Sequence, residues 1–474
     1  MKDRPPQQTI VDFYSEVKDS LGLPLSPLPS IPIQRRKKSA KNSMPEWKIC
    51  GADTETVEGA CWLFSTELGV WEINTFGDLI ASLYDPVHAK KWRTGKGDGR
   101  RATRGVSTLE FFFYNLKFDA QAFLRHLDDE EILLLIAGDK VEKTCEVEGY
   151  GRVKVRLKYL EGKHFSIVPI DWYIGQYKVG PCYMWDIMQF YPFGGLNAAS
   201  KAVLGETKIE ECFDGSILDV SRLDDKTYRD FYREDLEKYA IQDAVLAGKL
   251  ARKKREEFNS QGVRFIKPYS LANVAQRSLL DMCEVPTINS FTQNRKLLEI
   301  LQQSNEAYTG GWFETTGAGL ANGGEDCTAL DLASAYPYVM YHLADLTEGS
   351  WVRGDEALAW WNWCEKRRPF SLGFAEAFVI FEEGCAWNPL IKKAPTGTLT
   401  GPQITQGWFS AEELIEARKW PHSQFIIGEW FYHVEGEKRP FKPFISTFYD
   451  IKCSMPKGTV GYDVAKVLIN SAYG

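Results

Sequence analysis

The sequence predicts an α/β and α+β multidomain protein, and three observations predict it. The chain has 474 residues, 44% of them hydrophobic and 13% aromatic, enough for two or three separate cores. Between 47 and 255, short apolar stretches alternate with helical periodicities, the pattern of an α/β domain. From about 342 to 455 the chain turns rich in aromatic residues, Pro and Gly, and reads as an insertion with small folds of its own.

The elements follow in order. Residues 1–46 hold Pro5, Pro6, Pro24, Pro27, Pro29 and Pro32 and the basic run Arg35–Lys38, so they read as a weakly ordered extension. Strand patterns at Trp47–Ala52, Ala60–Ser65 and Thr108–Tyr114 predict a mixed sheet, with helices at Ala120–Leu127 and Tyr228–Lys253. The run Ile132–Ala137 falls far short of the roughly 18 apolar residues of a membrane span and reads as a core segment. Lys90–Arg93, Lys96, Arg100, Arg101 and Arg104, around Gly95 to Gly99, read as a mobile basic loop. For both basic clusters, contact with DNA is the functional alternative to a solvated face. Past Gly262 and Pro268, helices are expected at Leu271–Cys283 and Gln293–Asn305. These divisions place domains at 47–255, 256–341, 342–455 and 456–474.

No apolar run opens the chain as a signal peptide would, and the ten cysteines include no Cys-x-x-Cys pair. Reduced structural thiols in a cytosol-like compartment are expected, rather than a zinc site or disulfide framework. The net charge of −7 argues against nonspecific coating of nucleic acid. It leaves room for local phosphate-binding patches and for catalytic carboxylates.

Chemistry concentrates in two constellations. Asp53-Thr54-Glu55 follows the first strand, and residues two apart on a strand project to one side. Asn115 to Asp119 follows the apolar strand before it and opens a helix; Tyr239 and Asp243 stand four apart on a helical face. Four acids from three elements suit two divalent metals about 3.5–4 Å apart, as in in-line phosphoryl displacement. Oxygen donors of this kind favour Mg²⁺ or Mn²⁺ over zinc. Taken singly, an Asp-x-Glu after a strand is most often a solvated turn, and Tyr239 a core aromatic.

The second constellation is carried by Ala329 to Pro337, a short apolar strand ending in Asp331 and a turn fixed by Pro337, and by Lys466 to Gly474. On a helix, Lys466, Asn470 and Tyr473 share a face, where a cation, an amide and a ring suit a triphosphate and its base. The bland reading of Asp331 is a capping residue at a strand-to-helix junction.

Together these residues resemble the family B DNA polymerases. The first constellation is similar to the three motifs of the DEDDy 3′–5′ proofreading exonucleases, with an RNase H-like fold. That resemblance implies that Asp53, Glu55, Asp119 and Asp243 are metal ligands, that Tyr239 orients the attacking water, and that Thr54, Asn115 and Phe118 hold the primer end. Lys208 is a candidate auxiliary lysine. Where relatives carry a Ser or Thr followed by Leu, this chain has Asp186-Ile187-Met188.

The second constellation resembles polymerase motif A and the fingers helix of a partial palm and fingers. By resemblance Asp331 and the Leu332 carbonyl hold metals, the turn at Ser334 grips the triphosphate, and Tyr336 excludes a ribose 2′-OH. Lys466, Asn470 and Tyr473 bind the incoming dNTP, and Lys452 is a further candidate contact. Tyr308 to Gly311 resembles the Tyr-x-Gly-Gly linker between the two sites, with Tyr308, Gly310 and Gly311 touching the DNA.

The 135 residues between Asp331 and Lys466 resemble the terminal-protein region of protein-primed polymerases of phages, adenoviruses and linear plasmids. The resemblance implies a priming protein, primer-template and single-stranded DNA, and dNTPs as partners, in the host cytoplasm or, for a linear plasmid, the mitochondrion. Relatives place a second catalytic aspartate beyond the fingers helix, so a separate downstream polypeptide is expected to complete DNA synthesis. Two rivals are a standalone DEDDy exonuclease and a non-catalytic DNA- or terminal-protein-binding remnant.

Overall fold

The computed structural model describes residues 26–27, 43–93, 104–209, 211–286, 295–310, 334–382, 388–393 and 399–472, with isolated positions 289, 292 and 332. The chain divides into two units. One comprises 40–278 with 451–472, the other 279–450 with the N-terminal 39 residues. Among the described residues no helix is long and apolar enough to cross a membrane.

The first unit is built on an eight-stranded mixed sheet. In chain order its strands are β1 (Ile49–Val57), β2 (Ala60–Thr66), β3 (Gly69–Glu72), β4 (Glu110–Phe113), β5 (Lys140–Val147), β6 (Gly151–Leu160), β7 (His164–Pro169) and β8 (Cys182–Asp186). They lie in the order β3-β2-β1-β4-β8-β7-β6-β5, with β1, β4 and β8 parallel and the other pairings antiparallel. All four residues of β4 are buried, as expected of a central strand covered on both faces. Phe111 and Phe113 pack with Phe64 and Phe123 on the face of helix α1 (Leu116–Leu124). Phe112 stacks on Phe265 at 6.2 Å, and Phe265 on Phe258 of the 28-residue helix α2 (Arg233–Ser260), covering the opposite face.

Several expectations are corrected. The first strand starts at Ile49, after a 3₁₀ turn, and runs on through Val57, so Asp53 and Glu55 lie inside it rather than after it. The third strand pattern splits into Arg104–Thr108 and β4, in different sheets. Helix α1 begins four residues earlier than expected. The Tyr228–Lys253 pattern breaks at Tyr232 into Lys226–Phe231 and α2. Residues 89–93 of the basic loop form a strand paired with 104–108; residues 94–103 lie outside the described residues. The apolar run at 132–136 is not core. Only Leu135 is buried, while Leu133 and Ile136 are exposed by 68% and 63%. Its composition marks apolarity but not which face finds a partner.

The second unit holds a five-stranded antiparallel sheet. Its strands are Ser26–Pro27, β9 (Ser350–Gly354), β10 (Gly373–Ile380), β11 (Ile404–Ser410) and β12 (Gln424–Val434), in the order Ser26–Pro27, β9, β12, β10, β11. One face packs Trp360, Trp363, Trp430 and Tyr432 under helices Ala357–Lys366 and Ala411–Arg418. The other packs Trp351, Phe374, Trp408 and Phe431 against Leu297 and Ile300 of helix Arg295–Glu306. Apart from Ser26, Pro27 and residues 43–46, the 1–46 extension lies outside the described residues.

Candidate active site

Close backbone approach sets the first constellation. A Cβ on Gly51 of β1 would stand 1.8 Å from the Ala244 carbonyl oxygen and 2.4 Å from the Gly248 nitrogen of α2. Glycine at both positions lets the helix lie directly on the strand, which carries Asp243 towards Asp53. The Ser65 hydroxyl, opposite Asp53 in β2, donates to the Asp53 and Ala240 carbonyls at 3.2 and 3.0 Å. Glu67 accepts from the Gly51 N–H and from two nitrogens of Arg252 on α2, pinning the same junction. A bulge between Glu55 and Thr56 bends β1 where the site begins.

Asp119 is placed by a different device. Asn115 adopts the left-handed region at φ 75° as the chain turns from β4 into α1. The buried Asp186 carboxylate accepts from the Asn115 and Met188 N–H groups at 3.2 and 2.8 Å, holding that turn. Burial pushes Asp186 up to about 6, and those N–H groups work against the rise. The residue aligned with an expected hydroxyl contact is thus a backbone clamp. Sequence reasoning missed this role, and a buried acid closing a strand beside a positive-φ turn was its only signal.

Thr54 is buried, and its hydroxyl donates to Asp119 at 2.8 Å. This corrects its expected side-chain contact with the primer end: the hydroxyl is committed to the carboxylate. Asn115 and Phe118 are exposed, Phe118 by 52%.

Lys208 reaches in from the segment after helix Leu196–Leu204. Its ammonium donates to the Tyr239 hydroxyl at 2.7 Å and pairs with Asp243. The structure therefore brings Asp53, Glu55, Asp119, Tyr239, Asp243 and Lys208 together. Burial raises Asp53 well above the usual carboxylate range, and the charges of Asp243, Asp119 and Glu55 raise it further against Lys208. Glu55 is pushed up to about 8 by burial and by Asp243. Asp119 is also pushed up to about 8 by burial, with the Thr54 hydroxyl opposing. Burial raises Asp243 against the pull of Lys208. Burial alone would lower Lys208; Asp243 and Tyr239 outweigh it and hold the ammonium above its ordinary value. Burial and Asp243 raise the Tyr239 phenol.

Among the described residues no three His, Cys, Asp or Glu side chains are already gathered as an ion's ligands. The donor chemistry nevertheless fits a hard divalent cation. The four groups are carboxylates with mutually raised affinities for a positive charge, and Asp243 Oδ1 is buried with no hydrogen-bond partner.

Of the second constellation, Asp331, Gly311 and Tyr473 lie outside the described residues. Leu332 is 82% exposed, Tyr308 is exposed, and Gly310 has φ 83°. Ser334, at φ 58°, caps helix Ala335–His342, and Tyr336 is half-exposed in its first turn. Pro337 does not fix a turn before that helix. It is buried at the helix's third residue, where a missing N–H leaves no intrahelical bond unmade. In helix Val460–Ser471, which packs on α2, Val464, Ala465, Leu468 and Ile469 are buried while Lys466 and Asn470 are exposed. Lys452 is half-buried in helix Lys442–Ser454.

Comparison with known proteins adds an independent finding. Residues 218–474 match the family described as DNA polymerase type B, organellar and viral. A "Probable DNA polymerase" of Neurospora intermedia is 35% identical over 89 residues, 18% of this chain and 9% of that protein. One of Ascobolus immersus is 26% identical over 228 residues, 46% of this chain and 17% of that protein. The matches therefore span less than a fifth of either relative. Among solved structures, Phi29 DNA polymerase in a ternary complex with primer-template DNA and incoming nucleotide is similar over 90% of this chain and 66% of that one, at 13% identity and a TM-score of 0.47. Its orthorhombic crystal form gives 90% and 67%, at 14% identity and a TM-score of 0.49. Because the family match covers more than half of its length and takes in Tyr239, Asp243 and the whole second constellation, the chain belongs to the organellar and viral type B DNA polymerases.

Proposed function

We propose that the first unit is a 3′–5′ exonuclease acting on single-stranded DNA within a DNA-directed, protein-primed DNA polymerase. The observation that carries the reading is the gathering of Asp53, Glu55, Asp119 and Asp243 beside the Lys208–Tyr239 pair. Four buried carboxylates in mutual repulsion are costly to hold unless a counter-charge or a function requires them.

Asp53, Glu55, Asp119 and Asp243 would hold two Mg²⁺ or Mn²⁺ ions, which when bound supply Lewis acidity at the scissile phosphate and a nucleophilic water. The chain's own residues do the positioning. Thr54 orients Asp119 through its hydroxyl. Lys208 orients the Tyr239 phenol and keeps Asp243 ionised, so the phenol is fixed where an attacking water needs a partner. Phe118 and Asn115, exposed at the start of α1, face the terminal nucleotide.

The second constellation is read as the dNTP site of the polymerase. Asp331, Leu332, Ser334 and Tyr336 serve as motif A, Lys466, Asn470 and Tyr473 as the fingers face, and Lys452 as an added cation. Tyr308, Gly310 and Gly311 take the DNA between the sites. A terminal protein docking on the 342–455 region is the proposed primer.

The test is degradation of a 3′-labelled single-stranded oligonucleotide by the purified chain with Mg²⁺. Asp53→Ala and Asp243→Ala are expected to lower the rate by at least about a hundredfold, the scale on which a clamp of this kind acts. Wild-type rates in both variants would overturn the assignment.

A further inference from the structure

A cavity of about 500 Å³ opens beside the carboxylates. It is lined by Thr56, Phe118, Gln121, Arg125, Ile132 and Ile136, among others. It shares both elements of the site, since Thr56 follows Glu55 on β1 and Phe118 precedes Asp119 on α1. Phe118, Gln121 and Arg125 lie one turn apart along α1, and Ile132 and Ile136 face them from helix Asp129–Ile136. That helix leaves Ile136 63% exposed and the exposed ring of Phe118 opposite it. Exposed apolar side chains fronting a cavity are a recognition surface rather than a core. Arg125 is exposed and makes no side-chain hydrogen bond or ion pair among the described residues.

We propose that this cavity is the binding site for the nucleotide next to the 3′ end, and so sets the enzyme's preference for unpaired strands. The proposal rests on the exonuclease reading of the carboxylates. The occupant follows from chemistry and continuity. A strand whose terminal phosphate lies at Asp53 and Asp119 passes Phe118 and enters the cavity next. The apolar walls of Phe118, Ile132 and Ile136 accept a base by its face, whatever its sequence. Arg125 supplies the cation for the following phosphate, and Gln121 an amide within the same wall. The cavity lies in the range that holds one drug-sized ligand, which suits one nucleotide. A paired base would carry its complement into Ile132 and Ile136, so only an unpaired base fits.

Two measurements test this. Fluorescence anisotropy with a labelled oligo(dT) octamer in EDTA reads binding without turnover. Hydrolysis of the octamer, relative to the p-nitrophenyl ester of thymidine 5′-monophosphate, reads dependence on the second nucleotide. Arg125→Ala and Ile136→Asp are each expected to weaken octamer binding about tenfold, on the scale of one lost stacking or phosphate contact, and to lower the octamer-to-ester rate ratio similarly. Arg125→Lys should recover part of both losses, and unchanged melting temperatures show that the fold is intact. Octamer binding and rate ratios equal to wild type in both variants overturn the proposal while leaving the exonuclease reading standing. A wild-type chain that hydrolyses neither substrate overturns the exonuclease reading and, with it, the proposal.

Discussion

Gly51 of β1 and Gly248 of α2 meet backbone to backbone, and no side chain fits between them. A Cβ on Gly51 would lie 1.8 Å from the Ala244 oxygen, and one on Gly248 would lie 1.8 Å from Glu67 Oε1. The obstacle at Gly51 is backbone, which cannot swing away. Gly51→Ala is therefore expected to push α2 off the sheet and to destabilise the first unit by about 3 kcal/mol or more, the upper range of overpacking. Gly248→Ala meets a side chain instead and should cost less, at the expense of the Glu67–Arg252 pair. Thermal unfolding of the two variants checks the order.

Lys208 is the cation nearest the carboxylate cluster that the structure reveals, and it sits in an irregular segment. Its side chain is 20% exposed and that of Asp243 only 4%. Breaking a buried pair from one side leaves the other charge uncompensated, typically at about 3–5 kcal/mol. Partial exposure of Lys208 places the expected loss for Lys208→Met at the low end. Urea unfolding in EDTA at pH 8 measures it. The loss should shrink at pH 5, because protonated carboxylates no longer need the cation.

Removing a carboxylate should do the opposite. Asp53, Glu55, Asp119 and Asp243 all have folded-state affinities for protons raised above those of the unfolded chain. Groups shifted this way favour the fold below the unfolded value near 4, and that contribution is lost as pH rises through the folded values, about 8 for Glu55 and Asp119. Without metal, stability from this cluster therefore falls between about pH 4 and pH 8. Asp53→Asn is expected to raise the melting temperature in EDTA at pH 8, and to reduce the further rise that Mg²⁺ gives wild type. A lower melting temperature in EDTA would contradict the repulsion described for the cluster.

Much of this site was legible because its residues obey short periods. Asp53 and Glu55 are two apart on a strand, and Tyr239 and Asp243 four apart on a helix; local geometry puts each pair on one side. The helix face of Lys466 and Asn470 was legible for the same reason. Lys208 has no period to betray it, since its position is set by tertiary contacts with Tyr239 and Asp243. Asp186 carried no signal of its role, because accepting the Asn115 N–H depends on a left-handed turn 71 residues away. The run Ile132–Ile136 misled for a physical reason. Apolarity reports what a helix can bury, whereas the neighbouring elements decide what it does bury.

His164 offers a last test, in the same unit but away from the carboxylates. It is buried in β7, with Nδ1 3.0 Å from the Met184 carbonyl and its ring stacked on Trp185 at 4.3 Å. Burial pushes its affinity for a proton down to about 4, with the Met184 carbonyl opposing and Lys158 and Lys267 assisting. The folded state thus holds the neutral ring, while the unfolded chain protonates near 6.5. The stability this gives is present in full above pH 6.5 and is lost as pH falls towards 4, to a total of about 3 kcal/mol. The carboxylate cluster slopes the other way over part of the same range, so the comparison must be between variants. His164→Phe keeps the stack on Trp185 and removes the titration. Its stability relative to wild type should improve by about 1–3 kcal/mol between pH 7 and pH 4.5, measured by urea unfolding at each pH. A difference that stays constant across that range would mean that His164 is already protonated in the folded protein.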